Sequence, residues 1–313
     1  MSLLSWKPLL LRLHRWTTLV FALPLAWVII TGLILSVEPI VQDLGTKAGS
    51  LPASRLISLL EEHDKEGKVR AITVRAYEDR LTLQGVGPGG SLDLAISTGQ
   101  VVDDSGRTLL SDVFSTSRGL HEHFILDQEW VVIASTFAML VLIALGVLMG
   151  WPRLRNSVSG WHQAVAWFGL PLVILSPLTG LAIAFGLTFA TPRPQDRAAL
   201  PPIRQAVQIL GEKTDLSGLI WLRNRGGRML ARVNEGGVFQ VYQVSIRGVI
   251  PASSNWPRAL HEGNFAGAWS GLMVLLTSIG MMILMGTGLT LWLRRTFRKR
   301  NRARRPVVPA PAA

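Results

Sequence analysis

The stretch LHRWTTLVFALPLAWVIITGLIL at residues 13–35 decides the fold, because its histidine stands at the start of a long apolar run. A helix rises about 1.5 Å per residue, so about twenty such residues cross a hydrocarbon layer of about 30 Å. The stretch WHQAVAWFGLPLVILSPLTGLAI at 161–183 repeats the pattern and aligns His14 with His162. The sequence therefore predicts a membrane protein with an internal duplication.

Apolar runs of this length occur four times in the chain, which has 313 residues and is 49% apolar. The first run is too long for the apolar part of a cleaved signal peptide, which has about 7–15 residues, and no clear cleavage site follows it. We therefore expect a retained first helix and four spans. The runs lie at roughly 16–37, 130–151, 163–190 and 268–293.

A second pair of matching stretches precedes the second and fourth runs. RGLHEHFILDQEW at 118–130 matches RALHEGNFAGAW at 258–269, which aligns Arg118 with Arg258 and His121 with His261. Each half of the chain is thus predicted to contain a helix, an outside segment and a second helix. Since each copy contains two crossings, the copies have the same orientation and form parallel repeats about an axis along the membrane normal.

The net charge of +12 is unevenly distributed along the chain. Basic residues flank the spans on one side, while the long segments 38–128 and 191–262 mix both signs. By the positive-inside rule, both termini and the loop 152–160 are cytoplasmic and the long segments lie outside. The charge therefore indicates topology, and we predict no nucleic-acid partner. The flanking basic residues are Lys7, Arg12, Arg15, Arg153, Arg155 and eight within 294–305.

Both outside segments have the pattern of a small α+β unit. Residues 53–63 have helical periodicity and are followed by short alternating runs, and the second segment repeats this more weakly. Each unit has too few residues for an independent core, so we expect it to lean on the bilayer surface or on its twin.

The predicted fold class is an all-α four-helix transmembrane bundle of two parallel repeats with two small α+β outside domains. The segments are the cytoplasmic N-terminus and first span (1–37), the first outside domain (38–117), the second span (118–152), the cytoplasmic loop and third span (153–190), the second outside domain (191–257), the fourth span (258–295) and a basic, disordered cytoplasmic tail (296–313).

The predicted topology assigns a position across the membrane to four of the six histidines. His14 and His162 begin outward-running helices at the cytoplasmic face, and His121 and His261 precede inward-running helices at the outer face. Facing imidazoles satisfy both axial positions of a haem iron, and b-type haem needs no covalent attachment. The chain has no cysteine, which excludes iron–sulfur, zinc–thiolate and c-type haem sites. Two b haems would give an electron path across the bilayer.

The arginines near these histidines are candidate partners of haem propionates, because a carboxylate near hydrocarbon needs a counter-charge. Arg118 and Arg258 precede their histidines by one helical turn, and Arg15 follows His14. The alternative is that they only anchor the helices at the interface. Small residues would let a flat ring approach the helices, or would only pack helix against helix. These small residues are Gly32, Gly146, Gly180 and Gly286.

His123 competes with His121 for the role of outer ligand, since the two stand in the sequence HEH. We choose His121 because Leu120-His121-Glu122 matches Leu260-His261-Glu262, whereas His123 has no histidine as its counterpart. This leaves His123 outside the predicted ligand set.

Short motifs recur at the ends of the spans, and together they resemble the PepSY-associated transmembrane family. LDLAISTGQVV at 92–102 is similar to PepSY domains, so the resemblance makes the outside domains PepSY-like and periplasmic. The motifs are LHRW (13–16), TGLIL (31–35), GLH (119–121), GWPR (150–153), GWH (160–162) and ALH (259–261).

The family includes inner-membrane iron-uptake proteins of Gram-negative bacteria. Similar members are di-haem reductases that deliver electrons to ferric siderophores in the periplasm. The resemblance implies that His14 and His162 bind a cytoplasmic-side haem and that His121 and His261 bind a periplasmic-side haem. The resemblance thereby implies an enzyme, namely a ferrisiderophore reductase that receives electrons from a cytoplasmic or quinol donor.

A non-enzymatic alternative is metal transport or peptidase regulation, in which the histidine pairs bind Zn²⁺ or Cu²⁺ directly. Two imidazoles leave a tetrahedral metal short of ligands, and carboxylates are scarce within the spans, with Glu129 lying near one of them. Met281, Met282 and Met285 would suit Cu(I) but are typical of a core or lipid face. The sequence thus favours haem over a directly bound metal.

Overall fold

The computed structural model of the chain describes residues 6–87, 89–102, 108–190 and 199–303. These residues form two compact units. The helical unit lies within residues 1–33, 120–181 and 276–313, and the sheet unit lies within residues 34–119 and 182–275.

The helices, numbered in chain order, have the following bounds: α1 (Lys7–Val20), α2 (Ala22–Leu35), α3 (Glu38–Gly45), α4 (Ala53–His63), α5 (Leu109–His123), α6 (Glu129–Leu148), α7 (Val158–Phe168), α8 (Leu170–Ala184), α9 (Ile203–Gly211), α10 (Trp256–Glu262) and α11 (Ala268–Ala303). The strands are β1 (Ala71–Arg75), β2 (Arg80–Gln84), β3 (Ser91–Ala95), β4 (Leu219–Arg225), β5 (Arg228–Glu235), β6 (Val238–Ser245) and β7 (Gly248–Pro251).

Among the described residues, three helical segments are long and apolar enough to cross a membrane: Ala22–Gly45, Glu129–Leu148 and Ala268–Phe297. Helices α7 and α8 pass the same test as a pair bent by 65°, which gives four spans if the bent pair counts as one. The chain is therefore a multi-pass membrane protein, as the apolar runs predict.

Proline breaks the first and third apolar runs at equivalent places. A single residue separates α1 from α2, and a single residue separates α7 from α8. Pro24 and Pro171 lie in the first turn of the following helix. Because proline lacks an N–H and its ring clashes with the carbonyl four residues earlier, the preceding helix cannot continue through it. The aligned prolines thus explain why each run is divided into two helices.

The sheet unit contains one antiparallel sheet with the strand order β3-β2-β1-β4-β5-β6-β7. Strand β1 belongs to the first outside segment and β4 to the second, and they pair directly, with Ile72 opposite Leu222. The two segments therefore meet by hydrogen bonding between backbones within a single sheet.

This arrangement corrects the expectation of two small domains. Helices α4 and α9 pack on one face of the sheet, and side chains from both segments fill one core, including Leu60, Leu81, Leu210 and Leu222. Each of these four is at most 1% exposed. One outside segment alone has too little apolar surface for such a core, so the two segments form one core together.

The basic tail also differs from expectation. Helix α11 continues past residue 295, the predicted end of the fourth span, to Ala303. The remainder of the predicted disordered tail, residues 304–313, lies outside the described residues.

Candidate functional site

His14 and His162 come together within the helical unit. His14 lies on α1 and His162 on α7, and their ring centroids are 6.5 Å apart with the ring planes at 85°. Residues 148 positions apart in the chain are thus neighbours, as the alignment of the repeats predicts.

The separation of the two rings can be compared with metal geometry. If one metal joins two imidazoles in a straight line, two bonds of about 2 Å and two ring half-widths of about 1 Å place the ring centres about 6 Å apart. A tetrahedral angle shortens this to about 5 Å. The observed 6.5 Å is close to the spacing of two imidazoles that would share one metal.

A threonine and a glycine on α11 hold the ring of His162. Nδ1 of His162 lies 2.8 Å from Oγ1 of Thr287, and a Cβ on Gly288 would lie 3.6 Å from the ring. The Thr287 hydroxyl donates its proton to the Ile283 carbonyl at 2.6 Å. Its oxygen must therefore accept from Nδ1–H of His162, which leaves Nε2 unprotonated, the state in which imidazole binds a metal.

His121 has the same kind of support. Its Nδ1 lies 3.0 Å from Oγ1 of Thr31, whose hydroxyl donates to the Trp27 carbonyl at 2.8 Å. The neighbouring Gly32 has no side chain, and a Cβ there would lie 3.2 Å from Cε1 of His121. The same argument assigns the proton to Nδ1 and leaves Nε2 free.

Sequence analysis missed these two threonines as partners of the histidines, although a signal exists. The tripeptide Thr-Gly-Leu occurs at 31–33, 179–181 and 287–289. In a helix, a threonine followed by glycine places a hydroxyl beside a gap, and an aromatic ring fits there. The repeated tripeptide in apolar helices is the pattern that indicates a contact site for an aromatic ring.

His14 lacks this support. Its ring nitrogen Nδ1 is buried, and the Leu142 carbonyl on α6 lies nearby without the geometry of a hydrogen bond, so Nδ1 has no partner among the described residues. A buried polar atom without a partner costs about 1–3 kcal/mol. The ring position of His14 is therefore less constrained by the protein than that of His162.

His123 has the environment of a surface residue. Its side chain is 46% exposed, and its Nδ1 lies 2.7 Å from Oε1 of Glu129. This hydrogen bond raises the pKa of His123 above its usual value. The cation is thus favoured, which disfavours metal binding.

His261 lies in the sheet unit, in the last turn of α10. The side chain of Asn255 caps that helix by accepting from the Arg258 N–H at 3.0 Å, and Gly263, at φ 68°, ends it. The cap and the glycine fix both ends of a helix of only seven residues, and thereby the backbone position of His261.

The arginines predicted to meet propionates bind carboxylates of the sheet unit. Arg118 pairs with Glu38, and Arg258 donates to Glu262 at 2.7 Å. Arg232 on β5 also donates to Glu262, at 2.6 Å. Burial opposes ionisation of Glu262, but the two guanidinium groups outweigh it and lower its pKa to about 2.

Arg15 is exposed, and its Nε donates to the Leu11 carbonyl one turn earlier. Gly146 and Gly286 face open space, since a Cβ at either would meet nothing within 4 Å.

A scan of the sequence against family profiles gives one match. The family described as "PepSY-associated TM region" matches residues 11–295. The chain belongs to this family. The comparison with curated proteins finds no match.

The donor set of this PepSY-associated membrane protein is limited. In the part of the chain that the structure describes, no three His, Cys, Asp or Glu residues come close enough to hold a metal ion. A pair of imidazoles completes the coordination only of a metal that brings its other ligands with it. Two imidazoles would fit a haem iron, which brings its porphyrin nitrogens with it.

Proposed function

We propose that this protein carries electrons across the bacterial inner membrane to ferric iron held in the periplasm, for example in a ferric siderophore. The proposal includes two b haems, a four-helix bundle of two parallel repeats and cytoplasmic termini. The donor is a cytoplasmic reductant or a membrane quinol, and the lipid bilayer surrounds the helices. A periplasmic PepSY-like sheet unit would receive the chelate.

The spacing of His14 and His162 is the single observation that carries this proposal. At 6.5 Å between ring centroids, the two imidazoles are close enough that both would hold the iron of one haem. A metal transporter would need further ligands at this point, and the described residues offer none in a suitable group.

His14 and His162 would hold the inner haem, and His121 with His261 the outer one. When bound, haem supplies one-electron redox chemistry, and ferrous iron is then released because hard-oxygen chelators bind it more weakly than ferric iron. Thr287 and Thr31 orient His162 and His121 and fix their tautomers. Arg15, Arg118 and Arg258 would hold propionates, the last two in exchange for their present carboxylate partners.

Haem content per chain, measured on protein purified from haem-sufficient cells, tests the proposal. We expect about two haems, with the absorption bands of bis-imidazole b haem. His162→Ala should remove about half of the haem. His123→Ala is the matched control, since its exposed ring is paired with Glu129, and it should retain all of the haem.

A colourless protein would refute the proposal and favour the alternative of metal transport or peptidase regulation. Equal haem loss in His162→Ala and His123→Ala would show that the loss reflects general damage rather than removal of a ligand. Haem loss in His123→Ala alone would reassign a ligand to the HEH sequence.

A further inference from the structure

The sheet has a second face, which α4 and α9 do not cover. Side chains alternate along a strand, so Leu222, which is fully buried in the core, places Trp221 and Arg223 on the opposite face. Arg232 on β5 is the direct neighbour of Trp221 in the register. Basic and aromatic side chains therefore meet on this face.

Arg223 is the centre of the cluster. Its guanidinium carbon lies 4.4 Å above the ring of Trp221, and Arg232 lies 5.0 Å above the ring of Phe239. Burial, and then the neighbouring charges of Arg225, Arg232 and Arg258, lower the pKa of Arg223. Two guanidinium groups thus lie over aromatic rings, beside further groups of the same sign.

The charges of this cluster do not balance. Glu262 is the carboxylate that pairs with it, and it binds both Arg232 and Arg258. Neither Arg223 nor Arg225 has an ion pair with a carboxylate among the residues the structure describes. Glu38, which pairs with Arg118, is a second carboxylate whose charge acts on this network. Five guanidinium groups therefore stand against two carboxylates, and the excess positive charges repel one another unless an anion joins them.

We propose that Arg223, Arg225, Arg232 and Arg258 bind the carboxylate groups of a small anionic ligand. The planar guanidinium groups suit carboxylates because each offers two parallel N–H donors. The inference deepens the proposed function and rests on it for the identity of the ligand. Two sources supply this chemistry: a ferric carboxylate chelate, as substrate, or the propionates of the outer haem.

Equilibrium binding of ⁵⁵Fe-labelled ferric citrate to the full chain in detergent tests the first source. Arg223→Gln should weaken binding at least about tenfold, and Arg223→Lys should weaken it less, since it keeps the charge but loses the flat fork. Arg70→Gln removes an exposed charge just before β1 and is the matched control. A neutral ferric tris-maltolate should respond to none of these changes.

Uptake of haem and of haem dimethyl ester, whose propionates are blocked, tests the second source. If propionates are the ligand, the parent chain should prefer haem at least about tenfold, and Arg223→Gln should take up both equally. Arg70→Gln should keep the preference. This outcome supports the inference even if ferric citrate does not bind.

The inference is overturned if Arg223→Gln changes neither ferric citrate binding nor the preference for haem. A colourless chain that still binds ferric citrate through Arg223 would refute the proposed function and leave the inference standing. A chain with full haem content and no response in either assay would refute the inference alone.

Discussion

Replacing Glu262 by glutamine should loosen the sheet unit by an amount that follows from its environment. The side chain is 20% exposed and accepts from Arg232, Arg258 and Asn264 at 2.6–2.8 Å. Lowering the pKa from 4.5 to about 2 corresponds to about 3 kcal/mol of stabilisation of the folded state, at about 1.4 kcal/mol per pKa unit. Glutamine keeps the shape of the side chain but loses the charge.

The stabilising contribution of Glu262 should depend on pH in a definite direction. A carboxyl with a lowered pKa stabilises the fold above its ordinary pKa, and that contribution is lost as the pH falls from about 4.5 towards about 2. The difference between the parent chain and Glu262→Gln should therefore be about 3 kcal/mol at pH 7 and about half of that at pH 3.

Hydrogen exchange of the β5 amides in the full chain measures this difference. At pH 7 we expect exchange about 100-fold faster in Glu262→Gln than in the parent, after correction for intrinsic rates. Glu66→Gln is the control, because Glu66 is 71% exposed and pairs only with Lys68 at the surface. Exchange within about threefold of the parent at pH 7, or an equal difference at both pH values, would refute the reasoning.

Further substitutions test the residues that contact the histidine rings and the core that the two outside segments share. Gly32→Ala puts a Cβ 3.2 Å from an imidazole and should lower haem content, whereas Gly288→Ala, at 3.6 Å, should not; equal effects would contradict this. Thr287→Val should weaken haem binding about 10- to 100-fold by releasing the ring it orients. Thr290→Val, whose hydroxyl donates only locally to the Gly286 carbonyl in the described structure, is the control, and haem titration measures both. Leu222→Ala should cost about 2–5 kcal/mol, and limited proteolysis should then cut both outside segments; cleavage of one alone would argue against a common core.

The spans and the pairing of His14 with His162 can be predicted from sequence because both depend on local patterns. An apolar run indicates a membrane environment directly, and the match of residues 13–35 with residues 161–183 aligns His14 with His162. The break before Pro24 is equally local, since proline disrupts the helix that precedes it. These features need no knowledge of the partners that a residue meets in three dimensions.

The single sheet could not be predicted in the same way. In the pairing of β1 with β4, Ile72 lies opposite Leu222. No local sequence pattern predicts which strand will pair with a given edge strand. The size of each segment gave the only hint, since neither has enough apolar surface for a core. The charged network around Glu262 was missed for the same reason, because Arg232 comes from a strand that the linear sequence separates from α10.

The sequence match predicts that His14 and His162 are equivalent, but the surroundings of the two rings differ. The Thr287 oxygen accepts from Nδ1 of His162 and so fixes one tautomer, while Nδ1 of His14 is buried without such a partner. An imidazole whose Nδ1–H is hydrogen-bonded is a stronger and better-oriented ligand than one that is not. The two axial ligands proposed for the inner haem are therefore unequal in strength. It follows that introducing a hydroxyl on α6 near His14 would tighten the weaker ligand, whereas removing Thr287 would weaken the stronger one.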